Sequence, residues 1–131
     1  MKILIADDYP DVADLLSELL QLEFDCETVV VLNGADALHE ALKRRPDVSL
    51  LDIDMPIMAG VECAAAMRLK WGTDAGLIVA VTGRSSREAG ESGHFNHVLR
   101  KPTDFEELVK LIRARFPSNP LPDPEPVPGA A

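Results

Sequence analysis

Three short runs of almost unbroken aliphatic residues, Ile3-Leu4-Ile5-Ala6, Val48-Ser49-Leu50-Leu51 and Leu77-Ile78-Val79-Ala80-Val81, recur along the chain, separated by longer stretches with helical periodicity. A strand that is apolar on both faces has to be covered on both faces, which places all three in the middle of a sheet sandwiched by helices. Alternation of strand with helix makes each connection a crossover between parallel strands. The expected class is therefore α/β, a single-domain doubly wound sheet. Its predicted strands are residues 2–6, 27–32, 48–53, 77–81 and 97–100.

The helical stretches carry stripes that lie against such a sheet. Pro10 suits the first turn of the first helix, whose stripe reads Val12, Leu15, Leu16, Leu19 and Leu20. The second, residues 35–44, turns Ala35, Leu38, Ala41 and Leu42 inward and is stopped by Pro46. The third starts after Gly60 with Val61, Ala64, Ala65 and Leu69 inward, and Trp71 marks its end at a partly exposed patch. The last spans 103–116 with Phe105, Leu108, Val109, Ile112 and Phe116 on its apolar side. Thr103 or Asp104 caps it, and Glu106 and Glu107 suit the positive end of its dipole. Between the fourth and fifth strands, residues 85–93 hold two glycines, three serines and only Ala89 as an apolar residue, so one helical turn or none is expected there.

At 131 residues the chain has enough apolar content for one core. The folded domain is expected to cover residues 1–116. Six of the ten prolines fall in 117–131, which reads as a Pro-rich flexible tail or the start of a linker. A net charge of −9 argues against direct nucleic-acid binding. No apolar run approaches membrane-spanning length, and Asp7 and Asp8 follow the N-terminus too soon for a signal peptide, so a cytoplasmic protein without membrane contact is expected. Cys26 and Cys63 lack metal or redox spacing and read as reduced, buried thiols. His39, His94 and His97 are expected to be solvated rather than ligands.

The chemistry is expected where parallel strands end, in the crevice beyond their carboxyl termini. The first strand delivers Asp7 and Asp8 there, the third Asp52, the fourth Thr82 and the fifth Lys101. Carboxylates gathered in one crevice repel one another unless a cation joins them, and a hard ion such as Mg²⁺ prefers their oxygens. Lys101 can pair with a carboxylate at rest and with a phosphate oxygen later, and Thr82 can donate to the same phosphate. A carboxylate attacking phosphorus forms an acyl phosphate, a reaction helped mainly by positioning and charge neutralisation.

Asp7-Asp8, then Leu51-Asp52-Ile53-Asp54-Met55-Pro56 with Gly60, then Val81-Thr82-Gly83, then Lys101-Pro102 resemble the receiver domain of response regulators over about residues 1–116. The resemblance implies a five-stranded flavodoxin-like fold of strand order 2-1-3-4-5. It implies phosphorylation of Asp52 by a sensor histidine kinase or a histidine phosphotransfer protein, and metal binding by Asp8, Asp52 and the carbonyl of Asp54. Asp7 would act through water or support the metal site, Thr82 would be the switch hydroxyl, and Lys101 would pair with phosphate across a cis Lys101-Pro102 bond. Output would run through a downstream protein target, with a homodimer compatible, and the domain would catalyse only its own phosphoryl transfer and hydrolysis.

The chain departs from the family at Val98, where an aromatic is usual, at Ala59, commonly acidic, and in a short 82–98 stretch. Asp54 and Arg84 occupy positions that tune dephosphorylation in relatives. Two other readings remain open at this stage. A phosphatase of the haloacid-dehalogenase type also uses an Asp-x-Asp pair, but at the end of its first strand. A pseudo-receiver keeps the fold without the chemistry, usually after losing the Asp or the Lys. Taken singly, Asp7 and Asp8 could cap the first helix, Asp52 to Asp54 could be an ordinary loop, and Tyr9 reads as a packing residue.

Overall fold

The computed structural model describes residues 1–83 and 86–117. Five parallel strands, β1 (Lys2–Ala6), β2 (Glu27–Val31), β3 (Val48–Asp52), β4 (Leu77–Thr82) and β5 (His97–Arg100), form one sheet in the order β2-β1-β3-β4-β5. Every residue of β1, β3 and β4 is buried, while the edge strands β2 and β5 are partly open. Unbroken aliphatic composition thus sorts to the centre, as a sheet covered on both faces requires.

Two cores flank the sheet. One gathers Ile3, Ile5, Leu50 and Val79 with Leu20 of α1 (Pro10–Glu23) and Leu108 and Ile112 of α5 (Phe105–Arg115). The other gathers Leu4, Leu51 and Ile78 with Ala37 and Ala41 of α2 (Gly34–Lys43) and Cys63, Ala64 and Met67 of α3 (Gly60–Trp71). A short 3₁₀ turn, Gly72–Ala75, follows α3. Asn33 caps α2 by accepting the Asp36 N–H at 2.8 Å, and Asp104 caps α5 through the Glu107 N–H at 3.2 Å.

Several helix faces are rotated from the expected stripes. α3 buries Gly60, Cys63, Ala64 and Met67 and leaves Leu69 90% exposed. Its phase is set at its first residue: a Cβ on Gly60 would collide with the carbonyl oxygen of Asp52, so only that glycine lets the helix start against the end of β3. From there the buried positions follow at i+3, i+4 and i+7. α1 buries Leu20 of the expected stripe together with Ala13 and Ser17 and packs Leu16 against the same core, with Val12 and Leu15 more than half exposed. Ser17 faces inward because its hydroxyl lies 2.6 Å from that of Thr28 on β2. In α2 the buried set is Gly34, Ala37 and Ala41, and Leu42 is exposed.

The fourth helix is longer than the composition suggests. α4 runs Ser86–Ser92, seven residues, with Ala89 buried beneath it against Ile53 and Ala80. Among its described residues Ala89 turns inward, and Phe95 and Val98 pack against the same cluster. Cys63 is buried, which pushes its thiol up to about 12, whereas Cys26 is only half-buried. The Pro-rich residues 118–131 and Arg84 lie outside the described residues.

Ser49 sits on β3 among these aliphatic neighbours with its hydroxyl buried and no hydrogen-bond partner. An unmet buried hydroxyl costs roughly 1–3 kcal/mol. Ser49→Ala is therefore expected to raise unfolding stability by about 1 kcal/mol in denaturant titration. A loss of stability would show that the hydroxyl is satisfied after all.

Candidate functional site

All three central strands point the same way, so their carboxyl ends share one rim. β1 runs out into Asp7 and Asp8, β3 ends on Asp52 and β4 on Thr82, and β5 is followed at once by Lys101. The strand registers keep these ends level: Asp52 pairs with Val81, and Thr82 with Arg100. The loops then continue the ladder, since Ile53 donates to Val81 O at 3.2 Å and Lys101 N–H donates to Thr82 O at 2.9 Å.

Carboxylate oxygens of Asp7, Asp8 and Asp52 lie within 4.8 Å of one another. Asp7 and Asp52 are buried and Asp8 is exposed. The Lys101 ammonium reaches into the group, 2.7 Å from Asp52 Oδ2 and 3.3 Å from Asp7 Oδ2. Asp52 Oδ1 also accepts the Asp54 N–H at 3.0 Å, which turns the chain after β3 and places Asp54 beside that carboxylate. Asp7 Oδ1 accepts the Tyr9 N–H at 2.9 Å, whereas the N-cap of α1 is Tyr9 with no side-chain capping bond. The aspartates therefore shape the rim and do not cap the helix.

Burial raises the Asp52 carboxyl above its ordinary value, and Lys101 and the Asp54 N–H offset this only in part. Burial alone would lower Lys101, but the hydrogen bond and charge of Asp52, joined by Asp7, outweigh it and hold the ammonium above its ordinary value. Both groups are thus shifted upward, Asp52 by burial and Lys101 by its carboxylate partners. An acid with a raised pKa in the folded state binds its proton more tightly there, so its contribution to stability falls as pH rises from the usual aspartate range through the raised value. In metal-free buffer, wild type is expected to lose stability relative to Asp52→Asn across that window. The opposite slope in paired thermal melts at several pH values would contradict the assignment.

An all-oxygen donor set of three carboxylates, partly neutralised by one ammonium, fits a small hard divalent cation. The Lys101-Pro102 peptide is cis. Thr82 is fully buried at the end of β4. The rim thus brings together Asp7, Asp8, Asp52 and Lys101 by side chain and Thr82 by backbone, and Asp54 by its N–H.

Two features escaped the sequence. Tyr9 is not packed inside but is 64% exposed, with the Lys101 ammonium 5.8 Å from its ring centroid. It also lines an apolar groove of about 610 Å³ with Val12, Leu15, Leu19, Pro102 and Phe105, beside Lys101. The signal lay in the width of the α1 stripe, too broad for one buried face. The second is Gly34, where a Cβ would strike the Met58 carbonyl oxygen, so α2 begins in contact with the loop after Asp52. Among the histidines, His39 and His97 are exposed and His94 is half-buried.

At the carboxyl ends of a parallel sheet, an acidic rim bridged by a lysine is a place where a hard cation and an anionic ligand can be held together. The family model for the response regulator receiver domain matches residues 3–113, and the chain belongs to that family. It is 36% identical over 120 residues to the DNA-binding response regulator MtrA of Mycolicibacterium smegmatis, covering 90% of this chain and 51% of that protein. It is likewise 36% identical over 117 residues to the transcriptional regulatory protein PrrA of Mycobacterium tuberculosis, covering 86% of this chain and 48% of PrrA. The chain thus spans about half the length of these relatives. Among solved structures, the response regulator TrrA of Thermotoga maritima in complex with Mg²⁺-BeF superimposes with a TM-score of 0.78 at 30% identity, covering 88% of this chain and 98% of that one. The chemotaxis protein CheY4 of Vibrio cholerae gives 0.75 at 30% identity, covering 88% and 98%. No helix among the described residues is long and apolar enough to cross a membrane.

Proposed function

We propose that this receiver domain accepts a phosphoryl group on Asp52 and uses the acyl phosphate as a switch for protein contacts. The observation that carries the reading is the buried Asp52 carboxylate with Lys101 Nζ 2.7 Å away and two further carboxylates beside it. Asp8 and Asp52, with the Asp54 carbonyl, would hold Mg²⁺, and Asp7 would support the site. The ion would neutralise the charge of carboxylates and phosphate when bound.

Asp52 Oδ attacks phosphorus, and the P–N bond to a donor histidine breaks with its electron pair going to the imidazole. Lys101 exchanges its carboxylate contact for a phosphate oxygen. Thr82 turns its hydroxyl towards another, and because Thr82 O holds the Lys101 N–H, both flanking loops respond together. Water later attacks the acyl phosphate, releasing inorganic phosphate and restoring the carboxylate. The domain is thus a phosphoacceptor that catalyses only its own modification and reset, with Asp54 and Arg84 setting its lifetime.

A protein donor, a sensor histidine kinase or phosphotransfer protein, would rest on the apolar groove of Val12, Leu15 and Phe105, which adjoins Lys101. We place the domain boundary near Phe116, with 117–131 as its tail, and the protein in the cytoplasm. The two relatives are a DNA-binding response regulator and a transcriptional regulatory protein, whereas the net charge of −9 argues against nucleic-acid contact by these 131 residues. Incubation with acetyl phosphate and Mg²⁺ should add one phosphoryl group by intact mass, lost on chelation or in Asp52→Asn. Turnover of a generic phosphate ester without a stable adduct would favour a hydrolase instead.

A further inference from the structure

We propose that Tyr9 is a positioning residue for the Lys101 ammonium, its ring face holding that charge beside the Asp7 and Asp52 carboxylates. Lys101 Nζ lies 5.8 Å from the ring centroid, within the range where the negative face of an aromatic ring attracts a cation. Tyr9 is 64% exposed, so burial does not account for where its ring lies. The backbone that carries it is tied to the site: the Tyr9 main-chain N–H donates to Asp7 Oδ1, while Asp7 Oδ2 contacts the same ammonium at 3.3 Å. Asp7 thus joins the Tyr9 main chain to the ammonium that faces the Tyr9 ring, at the end of β1 and the start of α1.

A lysine stem is long and flexible, and 28% of this side chain is open to solvent. Without the ring, the ammonium gains rotamers directed towards water, and the fraction of time it faces the acceptor falls. The inference rests on the reading that Lys101 partners the incoming phosphate. It predicts that the π face matters, since a residue of similar bulk without a quadrupole cannot replace it.

The test compares wild type with Tyr9→Phe, Tyr9→Leu and Tyr9→Ala. With acetyl phosphate and Mg²⁺, Tyr9→Phe should be phosphorylated at the wild-type rate, and Tyr9→Leu and Tyr9→Ala roughly two- to fivefold more slowly, the size of a partly exposed cation–π contact. In metal-free protein without phosphodonor, the Lys101 εCH₂ resonance, assigned through Lys101→Arg, should be shifted by the ring current in wild type and Tyr9→Phe and return towards the ordinary lysine position in Tyr9→Leu. The resonance comparison needs no phosphoryl transfer, so failure of the phosphoacceptor reading would leave it standing as a test of Tyr9. A Tyr9→Leu protein that matches wild type in rate, or a Lys101 resonance unmoved between them, overturns the proposal.

Discussion

Lys101→Met is expected to slow phosphorylation of Asp52 by roughly 10- to 100-fold and to lower metal-free stability by about 3 kcal/mol. The first effect is the loss of a charge-assisted hydrogen bond to phosphate, worth about 1.5–3 kcal/mol. The second follows from what remains: Asp52, side chain 4% exposed, would keep its charge beside Asp7 and Asp8 with no cation against it. Breaking a buried pair by removing one partner costs about 3–5 kcal/mol, and the partial exposure of Lys101 places this case at the low end. Millimolar Mg²⁺ should return part of the stability in Lys101→Met by neutralising the same carboxylates, but not the phosphorylation rate. Denaturant titrations with and without Mg²⁺, alongside phosphorylation time courses, measure both. A variant as stable and as reactive as wild type would remove Lys101 from the site.

Gly60→Ala should be the most damaging small substitution beside Asp52. The added Cβ meets the Asp52 carbonyl oxygen, and its carbonyl carbon at 3.0 Å and Ile53 Cα at 3.1 Å, all backbone atoms that cannot rotate aside. Either α3 withdraws from the end of β3 or Asp52 is displaced, and about 3 kcal/mol of stability is expected to go with it. Phosphorylation should fall as well, because the N–H of Gly60 bonds Ile53 O at 3.2 Å and so ties the helix to the residue following Asp52. Gly90→Ala is the control: it lies in α4 with open space around it, and should be neutral or stabilising. Equal effects at the two glycines in denaturant titration would show that the close approach at Gly60 is not what matters.

The rim was legible because it depends on few things. Strand order in time and direction decides which residues share an edge, and aliphatic runs located β1, β3 and β4 to within a residue. Asp7, Asp8, Asp52 and Lys101 therefore converge in space as expected from their places after strands. Helix faces were harder. Leu69 looked inward by its hydrophobicity, yet the phase of α3 is dictated by backbone contact at Gly60, which no stripe of side chains encodes. Val12 and Leu15 looked like core for the same reason, whereas α1 turns Ala13, Ser17 and Leu20 fully inward and packs Leu16 beside them. α4 exceeded its propensity because packing of Ala89 on Ile53 and Ala80 overrides weak helix formers. Tyr9 was misread because its role needs two partners from distant segments, Asp7 and Lys101, and only the folded chain brings them together.

The most direct test of the account is to locate the acyl phosphate chemically. Protein treated with acetyl phosphate and Mg²⁺ is reduced with borohydride, which converts a phosphorylated aspartate to homoserine, and the modified peptide is sequenced by mass spectrometry. Homoserine is expected at position 52 and nowhere else, and absent when Mg²⁺ is chelated. Homoserine at position 7, 8 or 54 with position 52 intact would contradict the account.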